Sequence, residues 1–190
     1  GQNTVHRPLW KPYGITTQSN QRYVCDTQPA NVTIINPAKR SFRYIKPDDQ
    51  KAAMKLPIGV AVDNTGTIYV TDTGRGQVLL YTQEGSLVGE IGKQGEMKPC
   101  GIAVTADRLY VTDLSNNCVR VYARASRELL FSIPRQPDAK SKLFSPTNVA
   151  VDQQGRIHVS DTGGFSIKVF DAEGNYLRTT GELGIEPGRF

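Results

Sequence analysis

Four copies of one pattern constrain this chain more than any other feature. Each copy has a Pro-x-Gly or Pro-x-Asn step opening a short apolar run, then a second run ending in Asp, then a third run of β-branched and aromatic residues. The first copy runs Pro12–Thr17, Gln21–Asp26 and Asn31–Ile35. The second runs Pro57–Asp63, Thr67–Asp72 and Gln77–Tyr81, and the third Pro99–Val104, Arg108–Asp113 and Cys118–Tyr122. The fourth runs Pro146–Asp152, Arg156–Asp161 and Ser166–Phe170. The marker prolines Pro12, Pro57, Pro99 and Pro146 stand 45, 42 and 47 residues apart. The marker aspartates Asp26, Asp72, Asp113 and Asp161 stand 46, 41 and 48 apart, so two independent markers drift together.

Each copy reads as four short antiparallel strands. The run Val60–Val62 is apolar throughout, as an inner strand covered on both faces must be. Asp63 to Gly66 and Asp152 to Gly155 supply tight turns, in which Gly takes the positive φ a hairpin needs. Ile68–Val70 and Val78–Tyr81 suit half-buried strands. The turns Gln83–Gly85 and Ala172–Gly174 lead to an outer strand such as Ser86–Ile91. No segment has capped helical periodicity. Four strands recurring about every 45 residues specify an all-β chain of β-propeller blades. The 18 Gly and 11 Pro of the 190 residues fit this turn-rich architecture.

Those motifs resemble the NHL repeat across roughly residues 10–190, most closely in the second and fourth copies. The resemblance implies a propeller of commonly six blades, so this chain would supply about four blades of a six-bladed ring, with a closed four-bladed ring as the alternative. One propeller domain is then expected over 1–190, with blades near 10–55, 56–97, 98–144 and 145–183, and residues 184–190 as the lead-in to a further blade. An open stack of blades exposes apolar faces and is expected to associate. The basic residue that usually precedes the third strand in this family is replaced by Asn31, Gln77, Cys118 and Ser166, which argues against a ring of cations there.

Chemistry is expected to be absent. Recurrence of the marker aspartates in every blade reads as a structural role, each carboxylate accepting backbone N–H groups. The amidating lyases that share this repeat are zinc enzymes with several histidines, whereas this chain has His6 and His158 alone. His158 stands where its siblings are Tyr69 and Tyr110, so it reads as a substitute for tyrosine. The calcium set of sugar-lactonase-like propellers has no counterpart among these strands. Phosphate loops and nucleophile elbows are absent from the sequence. No cofactor or metal is therefore expected, and the chain reads as non-enzymatic. Cys25, Cys100 and Cys118 form no Cys-x-x-Cys pair, and two intervening strand spacings separate Cys100 from Cys118, so all three read as packed thiols.

Charge points to a surface. The chain carries net +5. Residues 1–46 hold seven basic groups against Asp26, a balance of +6, and the remainder balances at −1. Lys39, Arg40, Phe42, Arg43, Tyr44 and Lys46 mix cations with aromatics on the outer strand of the first blade, and Arg135, Lys140 and Lys142 mark a long charged loop between blades. Inter-blade loops are where a propeller displays specificity. The expectation is a scaffold docking other proteins through these residues. The resemblance to exported bacterial NHL proteins implies an accessory subunit of a cell-envelope or multihaem cytochrome assembly, exported and open to lipid anchoring. The alternatives are an RNA-binding NHL domain, for which the composition of 39–46 would serve, and a lyase or hydrolase with its site in further blades. No apolar run approaches the ~18 residues of a membrane span.

Overall fold

A computed structural model describes residues 9–45, 47 and 49–181. Among the described residues, sixteen strands form four separate four-stranded antiparallel sheets, each made of consecutive strands. The first blade is β1 (Pro12–Gln18), β2 (Gln21–Asp26), β3 (Asn31–Asn36) and β4 (Ser41–Ile45). The second is β5 (Pro57–Val62), β6 (Ile68–Asp72), β7 (Gln77–Tyr81) and β8 (Leu87–Ile91). The third is β9 (Pro99–Val104), β10 (Arg108–Asp113), β11 (Cys118–Ala123) and β12 (Leu129–Ile133). The fourth is β13 (Pro146–Val151), β14 (Ile157–Asp161), β15 (Ser166–Phe170) and β16 (Tyr176–Thr180). This is the propeller-blade architecture expected from the repeat. The lead-in 184–190 and His6 lie outside the described residues.

Blades stack face to face through three apolar layers. Tyr23, Val32 and Ile34 of the first blade meet Val60, Ile68 and Tyr81 of the second. Tyr69, Val78 and Leu80 then meet Ile102, Leu109 and Val111. Tyr110, Val121 and Ile133 meet Val149, Ile157 and Phe170. Alternation along each strand thus gives one face to the preceding blade and the other to the following blade, burying both faces of an interior blade.

The inner strands pack in succession, β1 on β5, β5 on β9 and β9 on β13, with no comparable packing of β13 on β1 among the described residues. Each inner strand shifts register just after its proline, where the missing N–H breaks the ladder. The glycine two residues on permits the close approach. A Cβ on Gly14 would lie 2.3 Å from the Ile58 carbonyl, and one on Gly59 would lie 2.4 Å from that of Cys100.

The marker aspartates hold each blade to the chain leading into it. Asp26 accepts from the Trp10 and Lys11 amides at 2.7 Å each. Asp72 accepts from Lys55 and Leu56 at 2.6 and 2.9 Å, Asp113 from Lys98 at 3.0 Å, and Asp161 from Phe144 and Ser145 at 2.9 and 2.7 Å. The structural role read from their recurrence is the one the geometry gives them.

Candidate functional site: two basic surfaces on different blades

The nine residues expected to form an interaction surface fall in two places. Lys39 and Arg40 occupy the β3–β4 turn, where Arg40 takes φ 49° and the Lys39 amide donates to Asn36 Oδ1 at 3.0 Å. Phe42 and Tyr44 alternate onto one face of β4 and meet edge to face, 5.4 Å between ring centres. Arg43 points the other way and is spoken for: its guanidinium donates to the carbonyl and side-chain oxygens of Gln83 on the second blade. It joins two blades and is not part of the aromatic surface. Lys46 lies outside the described residues.

Arg135, Lys140 and Lys142 are exposed on the connection between β12 and β13. Several contacts fix this loop from within. Asp138 accepts from the amides of Lys140 and Ser141, at 3.1 and 2.7 Å, and from Ser141 Oγ at 2.6 Å. These hydrogen bonds hold its carboxyl below the ordinary aspartate value. From β15 the buried Lys168 sends its ammonium to the carbonyls of Lys140, at 2.9 Å, and Lys142, at 2.5 Å. Burial pulls the Lys168 pKa down, and the charges of Asp161 and Asp138 oppose that pull. Arg135 stands over the Phe131 ring at 4.7 Å, and Arg108 is 5.7 Å from the same ring centre. Lys142 and Lys168 lie 5.4 and 5.7 Å from the centre of Phe144. Beside the loop, Lys140, Phe144, Ser166, Lys168 and Tyr176 line a shallow pocket of about 340 Å³.

Lys168, Phe131 and Phe144 were not singled out by the sequence. The available signal is a lysine within the apolar run Ser166–Phe170, at a position held by Leu79 in the second blade and Arg120 in the third. Arg120 answers a different need, bridging Asp113 at 2.9 Å and Glu96 at 2.8 Å.

Several other titratable groups serve the blades. Asp63 accepts from the Tyr69 hydroxyl at 3.0 Å and from Arg124 of the third blade at 2.9 Å. Burial and the Asp63 charge push the Tyr69 phenol up to about 12. His158 makes the tyrosine's contact in the fourth blade, Nε2 lying 3.0 Å from Asp152 Oδ2. Cys25, Cys100 and Cys118 are free thiols, all pushed upward chiefly by burial. Among the described residues, no three His, Cys, Asp or Glu side chains converge to hold a metal ion, and no helix is long and apolar enough to cross a membrane.

The NHL repeat family matches residues 55–80, the second blade's first three strands. Among solved structures, streptogramin B lyase is 15% identical with a TM-score of 0.73, covering 91% of this chain and 55% of its own. A catalytically inactive histidine-to-alanine variant of virginiamycin B lyase from Staphylococcus aureus, solved with quinupristin, is 17% identical with a TM-score of 0.69, covering 87% of this chain and 54% of its own. Kuenenia stuttgartiensis hydrazine synthase is 18% identical with a TM-score of 0.71, covering 94% and 52%. The chain therefore spans about half the length of the solved structures it matches. At these identities the likeness is one of fold. It nonetheless corrects the expectation of a non-enzymatic chain: the similar lyases are enzymes, so blades of this kind are compatible with catalysis, and a histidine count bears on one metal chemistry only.

Proposed function

We propose that this propeller of NHL-type blades docks an acidic protein surface through the loop between its third and fourth blades, with Arg135, Lys140 and Lys142 making the contact. The observation that carries the reading is the internal fixation of that loop. A buried ammonium and an Asp–Ser turn hold the backbone, while three cationic side chains remain exposed. Within residues 135–142 the single carboxylate, Asp138, accepts from the loop's own donors and is outnumbered by the three cations. A pre-ordered basic loop steers an acidic partner and loses little entropy on binding. The setting we propose is an accessory role in an exported envelope or multihaem cytochrome assembly. The fold likeness to hydrazine synthase is compatible with that setting.

The test is capture from native extract with three baits: wild type, the triple charge reversal at Arg135, Lys140 and Lys142, and a double reversal at Lys39 and Arg40. A partner retained by wild type and the double variant but lost by the triple variant supports the reading. Retention by the triple variant refutes it. Loss from the double variant, together with nuclease sensitivity, would move the contact to the first blade and its partner to nucleic acid.

A further inference from the structure

The second and fourth blades match without insertion, at one offset of 89 residues from Lys51 and Lys140 to Gly92 and Gly181. One charge centre is complete in the second blade and differs in the fourth. In the second blade, Arg75 Nη1 donates to the carbonyls of Lys51 and Ala53 at 2.6 and 3.2 Å. Its Nη2 reaches Glu90 Oε1 at 2.5 Å, and Gln77 Nε2 donates to the other Glu90 oxygen at 3.2 Å. The guanidinium fixes the loop, and a carboxylate held between two donors neutralises it.

In the fourth blade the Lys168 ammonium donates to the carbonyls of Lys140 and Lys142, the counterparts of Lys51 and Ala53. The cation on the loop is thus preserved from a different strand position. The carboxylate is not: Thr179 stands where Glu90 does, its hydroxyl engaged with that of Tyr176 at 2.8 Å. Gly164 replaces Arg75 and Ser166 replaces Gln77, so the space of three long side chains becomes the pocket of about 340 Å³.

The donors around that pocket are unmatched. Lys168 is 6% exposed and Ser166 is 8% exposed. Ser166 Oγ has no hydrogen-bond partner among the described residues. Arg75 pairs with Glu90, and Arg120 with Glu96 and Asp113, whereas Lys168 forms no ion pair among the described residues. Asp161 and Asp138 act on it only from longer range. An ammonium has three protons, and the two loop carbonyls engage two of them. Beside these donors stands the half-exposed ring of Phe144, its centre 5.7 Å from Lys168 Nζ.

We propose that this pocket binds a small monocarboxylate bearing an apolar group, its carboxylate in the place of Glu90 between Lys168 Nζ and Ser166 Oγ. The apolar part lies against Phe144 and Tyr176. Hydrogen bonds from a buried ammonium to a carboxylate are of the strong, charge-assisted kind. A pocket of this size suits a ligand of one ring or a short chain. The site lies within the fourth blade and its own lead-in loop, and it does not depend on the docking surface proposed above.

Nitrogen-15 correlation spectra of the labelled 190-residue chain test this, with sodium phenylacetate added to about 20 mM, where millimolar contacts are populated. The expected result is saturable shifts confined to residues 140–144, 166–168 and 176–181. Phenylacetamide and sodium chloride at equal concentration should give none. Ser166→Ala should weaken binding several-fold and leave the spectrum elsewhere unchanged. Thr179→Glu rebuilds the second blade's ion pair from within. It should raise the melting temperature by about 2 °C and abolish the phenylacetate shifts. A wild type without saturable shifts overturns the proposal and leaves the ammonium to the loop carbonyls alone. Equal shifts from phenylacetamide, or binding that survives Thr179→Glu, overturn it as well.

Discussion

Nε2 of His158 lies 3.0 Å from Oδ2 of Asp152, the relation that the Tyr69 hydroxyl holds to Asp63 Oδ2 in the second blade. Two different rings thus reach the same acceptor from the same strand position. His158→Tyr is expected to preserve stability, and His158→Phe to lower the urea midpoint by removing the donor. Equal midpoints for the two variants would show that the contact contributes nothing.

The same pair sets an acid response. The hydrogen bond from His158, joined by those of Arg156 and the Gln154 amide, holds the Asp152 carboxyl well below its ordinary value despite opposing desolvation. The native state therefore binds that proton less readily than the unfolded chain. The stabilisation is fully present above the unfolded value of about 4 and is lost as pH falls through the lower native value. In thermal melts, the gap between wild type and Asp152→Asn should narrow below about pH 4. A gap that widens in acid contradicts this assignment.

Asp72 is buried and accepts three backbone amides, those of Lys55, Leu56 and Arg75. Asp72→Ala orphans the Lys55 and Leu56 amides beside the inner strand, while that of Arg75 keeps the residue-72 carbonyl at 3.2 Å, and should cost about 3 kcal/mol in urea unfolding. Asp171→Ala, in an exposed hairpin turn, should cost clearly less. The reverse order would refute the strap role.

Gly59→Ala places a methyl 2.4 Å from the Cys100 carbonyl and 2.8 Å from Thr71 Oγ1, forcing the second and third blades apart. Overpacking at such a contact should cost about 3 kcal/mol. Unchanged stability would mean that the blade contact gives way freely.

Lys168→Met removes the ammonium from the carbonyls of Lys140 and Lys142. Amide exchange across residues 138–142 should accelerate at least several-fold, while the strands of the fourth blade stay protected. Unchanged exchange in the loop would show that the Asp138–Ser141 turn holds it alone.

The blades were legible because each depends on contacts local to one repeat. Proline, glycine and aspartate recur at fixed places, and alternation identifies which residues enter the layers between blades. His158 could be read correctly because Tyr69 and Tyr110 stand at its position. The surface was less legible. Arg43 looked like part of a cationic strip, but strand alternation turns it towards Gln83 of the next blade, a contact 40 residues away. The Lys168 clamp was invisible for a similar reason. Its partners are backbone carbonyls, whose positions depend on the loop's path and not on residue type. Exclusion of enzymatic activity failed on other grounds, because a count of histidines tests one metal chemistry and leaves the rest open.

Docking through the loop between the third and fourth blades is tested most directly by hydrogen exchange on the chain alone and with its captured partner. The account predicts slowed exchange confined to the connection around Arg135, Lys140 and Lys142, weakening as salt is raised. Slowed exchange at residues 36–45 with the loop unchanged would contradict it.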